Sequence, residues 1–208
     1  MERVVIPEIL DNLAVDDPRA IASRRDLRVI NFLMGNERWI VRQLGQQGGR
    51  GKVSELGAGR GELVHELANE GWESGGYDLQ PRPPQLNEKA NWEEGDFFKT
   101  LAEDDSSVVI GSLILHHFED EELKELGALL SRKKLLLFAE PLRSSFAMMQ
   151  GYALFPFCNE VTRHDMMVSI RAGFVKGELA SKLGLTKGWT WRETVTRRGG
   201  LRLSALRS

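Results

Sequence analysis

Lys52-Val53-Ser54-Glu55-Leu56 has strand character and runs straight into Gly57-Ala58-Gly59-Arg60-Gly61, after which Leu63, Val64, Leu67 and Ala68 recur at helical spacing up to Gly71. A strand that enters a helix through alternating glycines leaves bare backbone at the helix amino end, where a ligand can approach closely. The junction therefore predicts a cofactor site in an α/β fold. A dinucleotide fingerprint would want its third glycine one position later, where Glu62 stands, and that carboxylate would face a pyrophosphate. The spacing argues against a nicotinamide-dependent oxidoreductase.

The rest of the chain supports a doubly wound sheet. From Pro18 to Leu44 the apolar pattern predicts two helices broken near Gly35-Asn36. An extended piece at Ser74 to Leu79 and another ending at Asp96 flank a connection in which Pro81, Pro83 and Pro84 exclude a long helix. Ser107 to Leu115 is almost continuously apolar, as a strand covered on both faces requires, and Lys134 to Ala139 reads the same way. Between them, Glu119 to Glu122 load a helix start with negative charge, and Leu123, Leu126, Leu129 and Leu130 supply its buried stripe. Two short helices are predicted around Asp165 to Phe174 and Gly177 to Leu183. Trp189 to Thr196 and Leu201 to Leu206 read as strands joined at Gly199-Gly200. The expectation is a Rossmann-like, mostly parallel sheet with a C-terminal antiparallel hairpin and an N-terminal helical cap.

With 208 residues, 41% of them hydrophobic, the chain suits one domain with one sizeable core. Within it, residues 1–48 read as the cap, 50–140 as the cofactor-binding half, 141–165 as a substrate cover and 166–208 as the closing helices and hairpin. A net charge of −2 provides no field to hold a polyanion, so nucleic acid is not the expected partner. Arg197, Arg198, Arg202 and Arg207 lean towards a basic patch, and a solvated face explains them more simply. Cys158 is the single cysteine, and no Cys/His group has zinc-ligand spacing, so neither a disulfide nor a metal is expected. Met1 to Val5 lacks signal-peptide character and no apolar run approaches about 20 residues. A cytoplasmic protein that does not enter the membrane is the expectation.

Residues 55–61 resemble the first motif of the class I S-adenosylmethionine (SAM)-dependent methyltransferases, an acid and an apolar residue followed by three alternating glycines. The resemblance covers roughly residues 50–206 and implies SAM as cofactor and S-adenosylhomocysteine as product. It places Gly57, Ala58, Gly59 and Gly61 against the aminocarboxypropyl tail, with Glu55 near its ammonium. Gly76-Tyr77-Asp78-Leu79 matches the end of the family's second strand, which assigns Asp78 to the ribose hydroxyls with Leu79 beside it; a carboxylate can accept two hydrogen bonds from a vicinal diol. Asp96 and Phe97 correspond to the adenine pair, though Phe98 competes for that place. Ile110 to Phe118 resembles the small-molecule branch of the family, similar to ubiquinone and menaquinone methylases and those of secondary metabolism, whose fourth strand often ends in Leu-His-His. Ser107 stands where the family commonly has an aspartate and Gly111-Ser112 where a polar or acidic residue is frequent, and Ser112 is kept as a cofactor contact through its backbone.

Catalytic candidates are His117, from the His116-His117 pair, and His164 with Asp165; a positioned histidine can take the proton of a phenol or enol. Asp165 as a helix cap is the competing explanation. The Asn/Asp-Pro-Pro-Tyr sequence of enzymes that methylate base amines is absent. Met148, Met149, Tyr152, Phe155 and Phe157 suit an apolar or aromatic acceptor. The resemblance thus implies methyl transfer to a small molecule, with O-methylation of an aromatic or polyketide-like compound favoured. C- or N-methylation, an rRNA or protein acceptor, and a non-catalytic SAM-binding protein are the alternatives.

Overall fold

The computed structural model describes residues 1–14 and 16–208. Asp17 accepts a hydrogen bond from the Arg19 N–H and Pro18 occupies the first turn, which starts helix α1 (Pro18–Met34). Gly35, at φ 68°, ends α1 and leads directly into α2 (Asn36–Gly45), the break the sequence predicts. Strand β1 (Lys52–Leu56) and helix α3 (Glu62–Asn69) frame the glycine loop. They are followed by β2 (Glu73–Asp78), β3 (Asn91–Glu94), the one-turn α4 (Phe97–Thr100), β4 (Val108–Ser112), α5 (Asp120–Leu129) and β5 (Leu135–Pro141). Helices α6 (Ser145–Leu154), α7 (Glu160–Ala172) and α8 (Glu178–Lys182) precede a hairpin of β6 (Trp189–Val195) and β7 (Gly200–Arg207).

The seven strands form one sheet in the order β3-β2-β1-β4-β5-β7-β6. β1 to β5 pair in parallel, and β7 runs against both β5 and β6. Alternate residues of the central strands feed two cores. Val109, Leu136 and Phe138 face Leu123 and Leu126 of α5 and Leu179 of α8, whereas Ile110, Leu135 and Leu137 face Ile40 and Leu44 of α2 and Leu63 and Leu67 of α3. Every residue of β5 is buried, which is why its sequence is continuously apolar until Glu140. Strand order reverses between β1 and β4, so the crevice beyond their carboxyl ends is the topological switch point.

Two expectations need correction. The predicted strand from Ser107 to Leu115 stops at Ser112, because the backbone turns at Leu113 (φ 58°) and continues as a 3-10 turn, Leu115–His117. His116 and His117 therefore lie beyond the strand. The helix expected from Asp165 begins a turn earlier at Glu160, since Asn159 accepts from the N–H groups of Val161 and Thr162.

The N-terminal segment crosses the carboxyl ends of the strands rather than trailing away. Arg3 donates to the carbonyls of Ala172 and Phe118, pairs with Asp120 at 3.1 Å and covers the Phe174 ring. At the other end of the cap, Arg198 and Arg202 donate to the carbonyls of Leu33, Met34 and Gly35, which end α1. Two arginines of the suspected basic patch are thus engaged in helix capping. No helix among the described residues is long and apolar enough to cross a membrane.

Candidate cofactor site

Gly57, Gly59 and Gly61 have φ of 64°, 56° and 69°, the left-handed region that only glycine adopts cheaply. Their surroundings differ. A Cβ on Gly57 would lie 2.6 Å from Ile114 Cδ1, whereas one on Gly59 meets nothing within 4 Å. Gly57 is held by packing, and Gly59 faces open space. Ala58 is buried, and its methyl lies where a Cβ on Gly76 would come within 2.9 Å. These contacts bring the ends of β1, β2 and β4 against one loop.

Asp78, the last residue of β2, fixes that loop. One carboxylate oxygen accepts from the Gly59 N–H at 2.7 Å and the other from the Gln80 N–H at 2.8 Å, leaving further lone pairs on each. Leu79, next to it, is 74% exposed, which presents an apolar surface beside the carboxylate. Ser112 ends β4 half-buried, next to Gly111 in the same strand.

Glu55 is 6% exposed, and its Oε2 has no hydrogen-bond partner. Burial pushes its carboxyl well above the usual range, and the charges of Glu37, Asp78 and Glu62 push the same way. A hydrogen bond from the Val64 backbone opposes the shift without cancelling it. A cleft of about 220 Å³ lies between α1, α2 and the start of α3, lined by Arg28, Asn31, Phe32, Gly35, Glu37, Arg38 and Glu62. Asn31 Oδ1, in this cleft, and Asn36 Nδ2, at the start of α2, also lack partners.

Asp96 caps α4 by accepting from the Phe98 N–H at 3.1 Å. Phe97 is 7% exposed in the core cluster, and Phe98, stacked on it at 4.9 Å, is only partly buried. Of the two rings, the structure commits Phe97 to the core.

The other candidates gather at the far side of the switch point. His116 is 3% exposed, and its Nδ1 meets Glu140 Oε2 at 2.8 Å. Glu140 is fully buried and also accepts from the N–H groups of Ile114, Leu115 and His116, so it shapes the turn after β4. Burial lowers the His116 pKa, but the hydrogen bonds its ring donates to Glu140 and Glu8 outweigh it and raise the pKa to about 9. His117 is more open, with 28% of its side chain exposed, and burial followed by the His116 charge lowers its pKa.

His164 is 47% exposed in its side chain, and its Nδ1 lies 3.0 Å from Asp165 Oδ1. Asp165, 1% exposed, accepts from the N–H groups of Ile9 and Leu10, and so anchors the N-terminal segment rather than capping its own helix. Sequence reasoning missed both Glu140 and Glu8. The first was legible as an acid ending an apolar strand; the second had no local signal.

Removing the Asp78 carboxylate releases the Gly59 N–H and takes away both acceptor oxygens at the end of β2. An Asp78→Ala variant is expected to bind S-adenosylhomocysteine ~10-fold more weakly with nearly unchanged melting temperature, as calorimetry and thermal unfolding would show.

No family model and no curated protein matches the chain. Solved structures do. The plantazolicin methyltransferase BpumL, in complex with a triazolic desmethylPZN analog and SAH, superposes with a TM-score of 0.70 at 15% identity, covering 92% of each chain. Magnesium protoporphyrin IX methyltransferase from Synechocystis PCC 6803, with bound SAH, gives 0.58 at 19% identity over 88% of this chain and 86% of that one. The methyltransferase domain of bacterial CtHen1 gives 0.59 at 14% identity over 85% and 99%. With the strand order and the glycine loop, these matches show that the chain has the seven-stranded fold of the class I SAM-dependent methyltransferases.

Proposed function

We propose that this protein is a SAM-dependent methyltransferase acting on a small-molecule acceptor. The observation that carries the proposal is Glu55: a buried carboxylate with a free oxygen, at the end of β1 beside an open glycine loop. An α-ammonium group satisfies that oxygen, and Asp78 at the end of β2 suits a ribose diol, with Leu79 exposed against an adenine face. A dinucleotide would instead bring its pyrophosphate to the helix start, where Glu62 stands among Glu37 and Glu55.

When bound, SAM supplies a methyl group already activated by its sulfonium charge. The protein's part is to position the acceptor and exclude water. Phe146, Met149, Tyr152 and Phe157 are exposed along α6 and the turn after it, and Phe32 and Leu33 are exposed on α1. These surfaces fit an aromatic or polyketide-like acceptor, and we favour transfer to oxygen. Structural neighbours named for a protoporphyrin and for an azole-bearing product are compatible with that class. His164, oriented by Asp165, and His117 stand at the same end of the sheet as groups that can accept the proton of a phenol.

Incubating the protein with labelled SAM and, separately, phenolic compounds and RNA tests the acceptor. Label on phenolic oxygen, reduced ~100-fold or more in His164→Ala, is the expected outcome. Label on RNA alone would overturn the small-molecule assignment.

A further inference from the structure

We propose that Glu8, His116 and His117 bind a divalent transition-metal cation, of the zinc class, that fastens the N-terminal segment over the turn after β4. This inference does not depend on the cofactor reading, and it makes His117 a ligand rather than a proton acceptor. One donor atom from each of the three side chains lies within 4.8 Å of the other two. Glu8 Oε1 is 3.6 Å from His116 Nε2, and two ligands of a tetrahedral ion at about 2.0–2.1 Å stand roughly 3.3 Å apart. Nε2 releases its proton to solvent as the ion enters, and a shift of a few tenths of an ångström converts the pair into ligands.

The surroundings are those of a built site. His116 Nδ1 is committed to Glu140 at 2.8 Å, which leaves Nε2 directed at Glu8 and fixes the ring from behind; metal-binding imidazoles are ordinarily held this way by a carboxylate. His116 is 3% exposed and Glu8 9% exposed, and the Ser169 hydroxyl donates to Glu8, orienting the first carboxylate as well. Water would complete four-coordination, and Asp11 Oδ2, 4.0 Å from His117 Nδ1, lies outside the three-residue group. Two imidazoles and a carboxylate select Zn²⁺, Co²⁺ or Mn²⁺ over Mg²⁺, which prefers oxygen ligands and keeps its water. Arg3 and Asp165 already bind the flanking backbone, so Glu8 is brought to the histidines by contacts independent of any ion.

The full-length protein, stripped with chelator and dialysed, would be titrated with Zn²⁺ and with Co²⁺, following stoichiometry by elemental analysis, the Co²⁺ visible spectrum and the melting temperature. Expected are one ion per chain, a tetrahedral Co²⁺ spectrum, a rise in melting temperature, and ~10–100-fold weaker binding in Glu8→Gln and in His117→Ala. Cooperative thermal unfolding and a wild-type circular dichroism spectrum of both metal-free variants show that they fold, independently of the cofactor question. No binding above background, or binding that persists in both variants, overturns the proposal and leaves Glu8 and Glu140 simply bracketing the His116 ring.

Discussion

Replacing Glu55 with glutamine is expected to stabilise the ligand-free protein and, at the same time, to weaken S-adenosylhomocysteine binding ~100-fold. The two effects have one cause. In the folded chain Glu55 is buried with an unpartnered oxygen and is repelled by Glu37, Asp78 and Glu62, so its ionised form is disfavoured until a cation arrives. A neutral amide of the same shape removes the repulsion, worth about 1 kcal/mol or a few degrees in melting temperature for a chain of this size. It also removes the counter-charge for an ammonium. A group that costs stability and serves binding marks a site rather than a structural position.

The pH dependence follows from the same shift. The pKa of Glu55 is raised in the folded state above its ordinary 4.5, so the folded chain holds a proton that the unfolded chain releases. The corresponding stability is complete below 4.5 and is lost as pH rises through the raised value. The advantage of the Glu55→Gln variant should therefore widen with pH in thermal unfolding. Affinity for the ammonium-bearing ligand should climb over that window in wild type and stay flat in the variant.

A Glu140→Leu variant is expected to lose about 4 kcal/mol of stability, a drop of roughly 10 °C in melting temperature, and to bind the cofactor poorly. Leucine conserves volume but leaves the N–H groups of Ile114, Leu115 and His116 buried without an acceptor, and unties the His116 ring. Ile114 packs against Gly57 and Gly111, so a turn that loosens here reaches the glycine loop directly. Glutamine keeps one acceptor oxygen, and Glu140→Gln should recover about half of the loss. Equal melting temperatures for the leucine variant and wild type would show that the turn does not depend on this side chain.

The sheet was readable because its signals are local. Continuous apolar runs marked β4 and β5, alternating glycines marked the loop after β1, and Gly199-Gly200 marked the hairpin turn. The break at Gly35 was equally plain. What could not be read lies in contacts across the chain. Leu113 turns β4 early because Glu140, 26 residues beyond Ile114, supplies the acceptor for the new direction, and no window around Leu113 contains it. Glu8 reaches His116 from the other end of the molecule, and Asp165 looked like a local cap while its partners, Ile9 and Leu10, were some 155 residues away. Phe97 and Phe98 are adjacent and chemically identical, so only packing decides which ring enters the core.

Calorimetric titration of wild-type protein with S-adenosylhomocysteine, NADH and NADPH tests the central claim most directly. Micromolar binding of S-adenosylhomocysteine alone, weakened in Asp78→Ala and in Glu55→Gln variants that remain folded, is the predicted result. No binding of S-adenosylhomocysteine, or preference for a nicotinamide nucleotide, would contradict the reading of Glu55, the glycine loop and Asp78 as a SAM site.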